Sequence, residues 1–305
     1  MRRALGGKQL MKSGVIMKSA IAAIVASLAL AQPAFANAEP SGSVWSASIS
    51  GGTAALDHNG DQPFVGVSLT RTFEDGYVRL SGTRIMSRDG QGLVGVVPST
   101  TSQIALAGGG SFGSLSLDGY ASFGWRKFGA EAFRRRNGQT IDISSNGKTN
   151  AIGGSLTYDV PLGEHAFLSP FISLDYSRVD TARAITLPLR GLVTQKEKQN
   201  GVTFTAGGSA QRMFGAADRH SIGLYPAFVT SSNTTAYNRG TSPIIASRLL
   251  GALDVPGTKD SWAEYGATAS FAIAKPLRID LSIVRTAGFG TAESTSGSAG
   301  LRLSF

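Results

Sequence analysis

The 305-residue chain has no cysteine, which removes disulfide frameworks and thiolate metal sites. Charge is scarce as well: Asp, Glu, Lys and Arg make up 16% of it, well below the roughly 25% of an ordinary soluble domain. Long apolar runs are also missing. The most extended, Ala20 to Ala31, is shorter than the roughly 20 residues a helix needs to cross a bilayer. A mean hydropathy near zero excludes a helical membrane protein. Histidine is limited to His58, His165 and His220, which are scattered without metal-ligand spacing. None is followed two residues later by Ser, so no phospholipase-type pair is present.

Glycine, by contrast, is frequent, with 39 residues, and apolar and polar residues alternate throughout. The chain ends on such a pattern: Phe305, Leu303, Leu301 and Ala299 alternate with Ser304, Arg302, Gly300 and Ser298. A period of two with one apolar and one polar face is a strand whose faces meet different solvents. An apolar aromatic at the very end suits an outward face in lipid, with Phe305 in an interfacial girdle.

Residues 1–36 read as a secretory signal peptide, with Lys12 and Lys18 before the apolar run and Ala34-Phe-Ala36 as the cleavage site. Five of the 29 cations, Arg2, Arg3, Lys8, Lys12 and Lys18, lie in it and all 20 acids lie beyond it. The formal charge of +9 therefore falls to +4 in residues 37–305, and no nucleic acid is expected as partner.

Beyond the leader, twelve alternating runs have the length of tilted membrane strands, near 43–52, 62–72, 77–87, 102–112, 115–126, 149–160, 166–180, 199–212, 219–231, 261–274, 277–288 and 295–305. Their links alternate too. Short turns fall at 74–76, 113–114, 162–165, 215–218 and 275–276, and longer links at 53–61, 88–101, 127–148, 181–198 and 232–260. That asymmetry predicts an all-β, antiparallel up-and-down transmembrane barrel in the outer membrane, with long loops extracellular and both termini periplasmic. A soluble β-sandwich alternates as well, but it carries more Lys and Glu on its outer face.

Because charge on the lipid face costs about 2–4 kcal/mol at the midplane, Asp118, Arg126, Asp175, Glu264, Arg278, Asp280 and Arg302 are expected to line the lumen, with Tyr120 beside them. Phe73, Tyr77, Phe112, Phe167 and Phe214 flank short turns and suit the periplasmic girdle, and Trp125 and Trp262 the outer one. The densest basic run, Arg134-Arg135-Arg136, is a candidate contact for lipopolysaccharide phosphates. Gly108 to Gly113 matches a dinucleotide fingerprint on paper, but it joins two alternating strands and opens no helix. Asp218-Arg-His220 reads as a polar turn. No catalytic constellation, cofactor or metal site emerges. Residues 243–253, capped by Ser242 and opened by Pro243, predict one short helix inside the longest loop.

The last strand resembles the closing strand of bacterial outer-membrane barrels. Gly153-Gly-Ser-Leu-Thr-Tyr-Asp159 and Leu168-Ser-Pro-Phe-Ile-Ser-Leu-Asp-Tyr-Ser-Arg-Val179 resemble the translocator barrel of autotransporters. The resemblance implies a twelve-stranded barrel spanning about residues 40–305, periplasmic chaperones and the barrel assembly machinery as partners, and Leu301, Leu303 and Phe305 as an assembly signal. With few residues between Ala36 and the first strand, no passenger or pore-filling helix is expected. What remains is a narrow passive pore, or alternatively a structural barrel whose extracellular loops bind lipopolysaccharide or another surface partner.

Overall fold

The structure is a computed structural model that describes residues 21–22, 44–56, 62–87, 99–128, 131–134, 140–187, 191–233, 247–248, 259–288 and 293–305. Twelve strands form the wall: β1 (Val44–Leu56), β2 (Gln62–Thr72), β3 (Gly76–Ser87), β4 (Ser99–Phe112), β5 (Leu115–Phe128) and β6 (Thr140–Tyr158), then β7 (Ala166–Leu187), β8 (Gly191–Phe214), β9 (His220–Ser231), β10 (Asp260–Ala272), β11 (Leu277–Ala287) and β12 (Ser294–Ser304). Each pairs antiparallel with its sequence neighbours, and β12 pairs with β1 over Ser294↔Leu56 to Ser304↔Ser46. The sheet therefore closes on itself and leaves no edge to aggregate. Two backbone hydrogen bonds continue the seam past β12: Trp45 N–H donates to Phe305 O at 3.0 Å, and Phe305 N–H to Trp45 O at 2.8 Å.

The twelve-strand expectation is borne out, with changes at the ends. β7 and β8 run for 22 and 24 residues, about twice what a crossing needs. The expected loop 181–198 is thus mostly a hairpin extension, in register from Thr181↔Glu197 to Leu187↔Gly191. Broken alternation hid it, because Ala184-Ile185 and Leu192-Val193 are adjacent apolar pairs and Pro188 interrupts the run. β6 begins at Thr140 and not near 149. Glu131–Arg134 adds a short strand against β6.

The leader expectation falls outside the described residues except at Ile21–Ala22, which pair with Ser247–Arg248. The helix expected over 243–253 likewise falls outside them, save those two residues, which are extended and not helical.

The packing is inverted relative to a soluble domain. On the inward face lie buried Thr, Ser, Gln, Asp, Glu and Arg side chains, among them Thr205, Thr286, Ser177, Asp175 and Glu264. The outward face exposes Ile49, Val67, Leu80, Leu106, Ile152, Leu174, Leu224 and Ile283. In water this exposure would cost about 25 cal/mol per Å². In lipid it is the wetted face.

Candidate functional site

The inward face is the part of this wall on which chemistry is concentrated, and strand parity assembles it. On β3, Tyr77 and Arg79 share the inward face, and Val78 and Leu80 point outward. On β5, Asp118, Tyr120, Ser122 and Arg126 point in, and Leu117, Phe123 and Trp125 point out.

Two hydrogen bonds cross an intervening strand. Tyr77 Oη donates to Asp118 Oδ1 at 2.8 Å, passing over Gly109, which is in register with both. Tyr120 Oη donates to Asp175 Oδ1 at 2.6 Å, passing over Gly153, again in register with both. A Cβ at either glycine would overlap the carboxylate oxygen. Glycine is needed here because the phenol and carboxylate meet on top of the middle strand. The Gly-rich segment read on paper as a nucleotide fingerprint has this local role.

A second group surrounds Glu264, only 1% exposed. Trp262 Nε1–H donates to Glu264 Oε1 at 3.0 Å, and Tyr225 Oη to Glu264 Oε2 at 3.4 Å. The Tyr225 ring stacks on Phe171 at 5.7 Å. Trp262, 2% exposed, is therefore inside the barrel and not in the outer girdle. It shares parity with Glu264, and its N–H serves the buried carboxylate.

A third group lies on β10–β12 toward the short turns. Arg302 Nη2 meets Asp280 Oδ1 at 2.9 Å. Ser270 Oγ donates to Asp280 Oδ1 at 2.7 Å, and Arg278 Nε donates to Ser270 Oγ at 3.1 Å. Nearby in register space, Arg79 Nε donates to Thr70 Oγ1 at 3.1 Å, and its guanidinium lies over the Tyr77 ring. Arg126 is buried near the other end of β5. With Arg79 included, the inward ionisable groups named here are four acids and four bases, interleaved and not segregated by sign.

The remaining expected positions divide. Phe73, Phe112 and Phe214 are exposed beside short turns, joined there by Trp45 and by Phe305 at 67% exposure. Tyr77 and Phe167 are not in that girdle: parity turns both inward. Leu301 and Leu303 are exposed on β12. Arg134 ends the short strand beside β6, and Arg135 and Arg136 lie outside the described residues. Asp218 sits in a 3-10 turn, Ala216–Asp218, and its carboxylate meets His165 Nδ1 at 3.0 Å and not His220. His220 instead accepts a hydrogen bond from Ala272 N–H at 3.3 Å and lies between the rings of Phe214 and Phe271. Among the described residues no cluster of His, Cys, Asp or Glu is arranged to hold a metal.

Sequence reasoning missed Arg79, Tyr225 and Trp262 as inward groups. The signal was available in the alternation of β3, β9 and β10, where each shares parity with polar neighbours.

A closed antiparallel barrel, apolar outside and polar inside, defines an integral outer-membrane β-barrel protein. The family model of the autotransporter beta-domain matches residues 91–283, more than half the chain. The chain belongs to that family, which is non-enzymatic. It is similar in fold to the translocator domain of the autotransporter NalP from Neisseria meningitidis, at 15% identity and a TM-score of 0.61, covering 88% of this chain and 90% of that one. The beta domain of the Bordetella autotransporter BrkA gives 13% identity and a TM-score of 0.58, with 86% and 98% covered. A monoaromatic hydrocarbon channel, CymD, gives 11% identity and a TM-score of 0.50, with 94% of each chain covered. A search of curated proteins finds no match.

Proposed function

We propose that this barrel is a narrow passive pore across the outer membrane. The observation that carries the reading is the polar inward face of a closed twelve-stranded wall. Twelve strands lie between the side-chain-filled eight-stranded barrel and the 16–18-stranded porin with its aqueous channel. The interleaved Asp118, Arg126, Asp175, Glu264, Arg278, Asp280 and Arg302 then line the permeation path and favour small solutes over one sign of ion.

In this reading residues 1–36 are removed after export and residues 37–305 form the barrel. The turns at 73–75, 113–114, 159–165, 215–219 and 273–276 face the periplasm, and the links beyond β7 and β9 face outward. Periplasmic chaperones and the barrel assembly machinery deliver the chain, with Leu301, Leu303 and Phe305 as the signal. The longer extramembrane hairpin on one side supports this orientation.

Planar-bilayer recording of purified protein tests the pore. Discrete conductance steps support it, and a silent, correctly folded barrel refutes it. Protease added to intact cells tests the orientation. Cleavage near Arg134-Arg135-Arg136 supports it, whereas protection there with cleavage at Asp218-Arg219 inverts it.

A further inference from the structure

The register orders the outward face of β3–β8 into rows whose chemistry changes abruptly. One row, Leu80–Leu106–Ala121–Ile152–Tyr176–Val202, is apolar apart from the Tyr176 hydroxyl. Two rows farther from the short turns comes Arg84–Ser102–Trp125–Lys148–Asp180–Lys198. Beyond it, Lys127 and Lys196 add two more cations, and Arg178 stands in the row between. Arg84, Lys127, Lys148, Lys196 and Lys198 are all exposed. Within these rows the carboxylate is Asp180, paired to Arg178 at 2.9 Å.

The other half of the barrel differs. On β9–β12 the outward cations at the corresponding end are Lys259, exposed just before β10, and Arg285, bound to Glu293 at 2.8 Å and Thr295 at 2.8 Å. The outward positive charge at this end is thus denser on β3–β8.

We infer that this side is a docking face for the phosphate groups of lipid A in the outer leaflet, seated on the strands themselves and not on the Arg134–Arg136 loop. Three features select that occupant. Neighbouring strands lie about 4.8 Å apart, so Lys127, Lys148 and Lys198 form a grid of cations matched to a multiply phosphorylated headgroup. The apolar row two below, Leu80–Leu106–Ala121–Ile152–Tyr176–Val202, suits its acyl chains. Trp125 and Tyr176, half exposed at the boundary, are the amphipathic side chains that settle at such an interface. A soluble acidic protein would leave the apolar rows unmet. The inference does not depend on the pore, but it does depend on the long hairpins lying outside the cell.

The test uses the full chain folded in detergent, with bisphosphorylated lipid A as probe and binding read by native mass spectrometry. The K127Q/K148Q/K198Q variant is expected to lose at least tenfold in affinity, dephosphorylated lipid A to bind comparably weakly to the unmodified chain, and Lys275→Gln at the opposite end to change nothing. Affinity of the unmodified chain is expected to fall with salt, which decides the matter even if the triple variant fails to fold. Equal binding of the dephosphorylated lipid, salt-independent binding, or preference for phosphatidylglycerol over lipid A overturns the inference. A Lys148→Cys variant labelled on intact cells by an impermeant maleimide checks the orientation separately. Absence of labelling overturns the outer-leaflet assignment and leaves a conductance result untouched.

Discussion

Tyr120 on β5 hydrogen-bonds Asp175 on β7 at 2.6 Å, across the whole width of β6. Register explains how a bond reaches over a strand. Tyr120, Gly153 and Asp175 stand in one row, so two strand spacings of about 4.8 Å separate the outer members. A tyrosine laid flat against the wall spans that distance when the middle residue has no Cβ. The edge of the ring then lies beside Gly153. Tyr77, Gly109 and Asp118 repeat the arrangement on β3–β5, so the wall is braced twice.

Replacing Gly153 with Ala is therefore expected to destabilise the barrel by about 1–3 kcal/mol, the usual cost of overpacking. The new methyl overlaps Asp175 Oδ1 and lies 2.8 Å from Tyr120 Cε1. Tyr120→Phe should cost about 1–3 kcal/mol by leaving a buried carboxylate oxygen short of a donor. Combined, the two should be less than additive, because they break one contact. Urea midpoints of the refolded protein, read by gel mobility, check this. Full additivity would mean that Gly153 acts elsewhere.

Much of this was legible in the sequence, and the limits are physical. Alternation located all twelve strands because lipid and lumen demand opposite side chains at successive positions. It failed where β7 and β8 continue past Asp180 and Lys198 and apolar and polar residues no longer alternate strictly. The inward charges Asp175 and Glu264 were readable from the cost of lipid burial. Tyr77 and Trp262 were misplaced because an aromatic near a strand end fits a girdle by composition. Parity alone, shared with Arg79 and Glu264, decides the face. The pairing of Tyr120 with Asp175 was not legible, since it needs the register of three strands at once.

Glu264 offers a test of the inward charges. Glu264→Gln keeps an acceptor oxygen for Trp262 Nε1–H and turns an amide N–H toward Tyr225 Oη, whose hydroxyl rotates to accept it, but removes the charge. It should fold normally and move the reversal potential in a salt gradient toward anion preference. Glu264→Ala removes the carboxylate that two buried donors share, at about 1–3 kcal/mol, and should lower the unfolding midpoint. Unaltered reversal potential in a conducting Glu264→Gln barrel would place this carboxylate off the permeation path.

The lipid face is tested at Leu224, 63% exposed on β9. Leu224→Arg should cost about 2–4 kcal/mol if the position lies near the midplane, and Leu224→Ala distinctly less. Equal urea midpoints for the two would mean that water, not lipid, covers this face.

Phe305 tests whether the closing residue serves stability, assembly or both. Its backbone makes two hydrogen bonds with Trp45 across the β12–β1 seam, and its ring is exposed beside the short-turn end. Removing Phe305 deletes both bonds, at about 0.5–1.5 kcal/mol each. That is a modest loss for a wall closed by the full β12–β1 ladder. The deletion should therefore refold into vesicles with a slightly lowered midpoint. In cells it should accumulate in the periplasm and be degraded, if the ring is what the assembly machinery reads. Phe305→Ala keeps the backbone pairing and removes the ring, so it separates the two roles. Poor insertion in cells with a normal midpoint in vesicles assigns the ring to assembly. Normal insertion of both variants would reduce Phe305 to the last rung of the ladder.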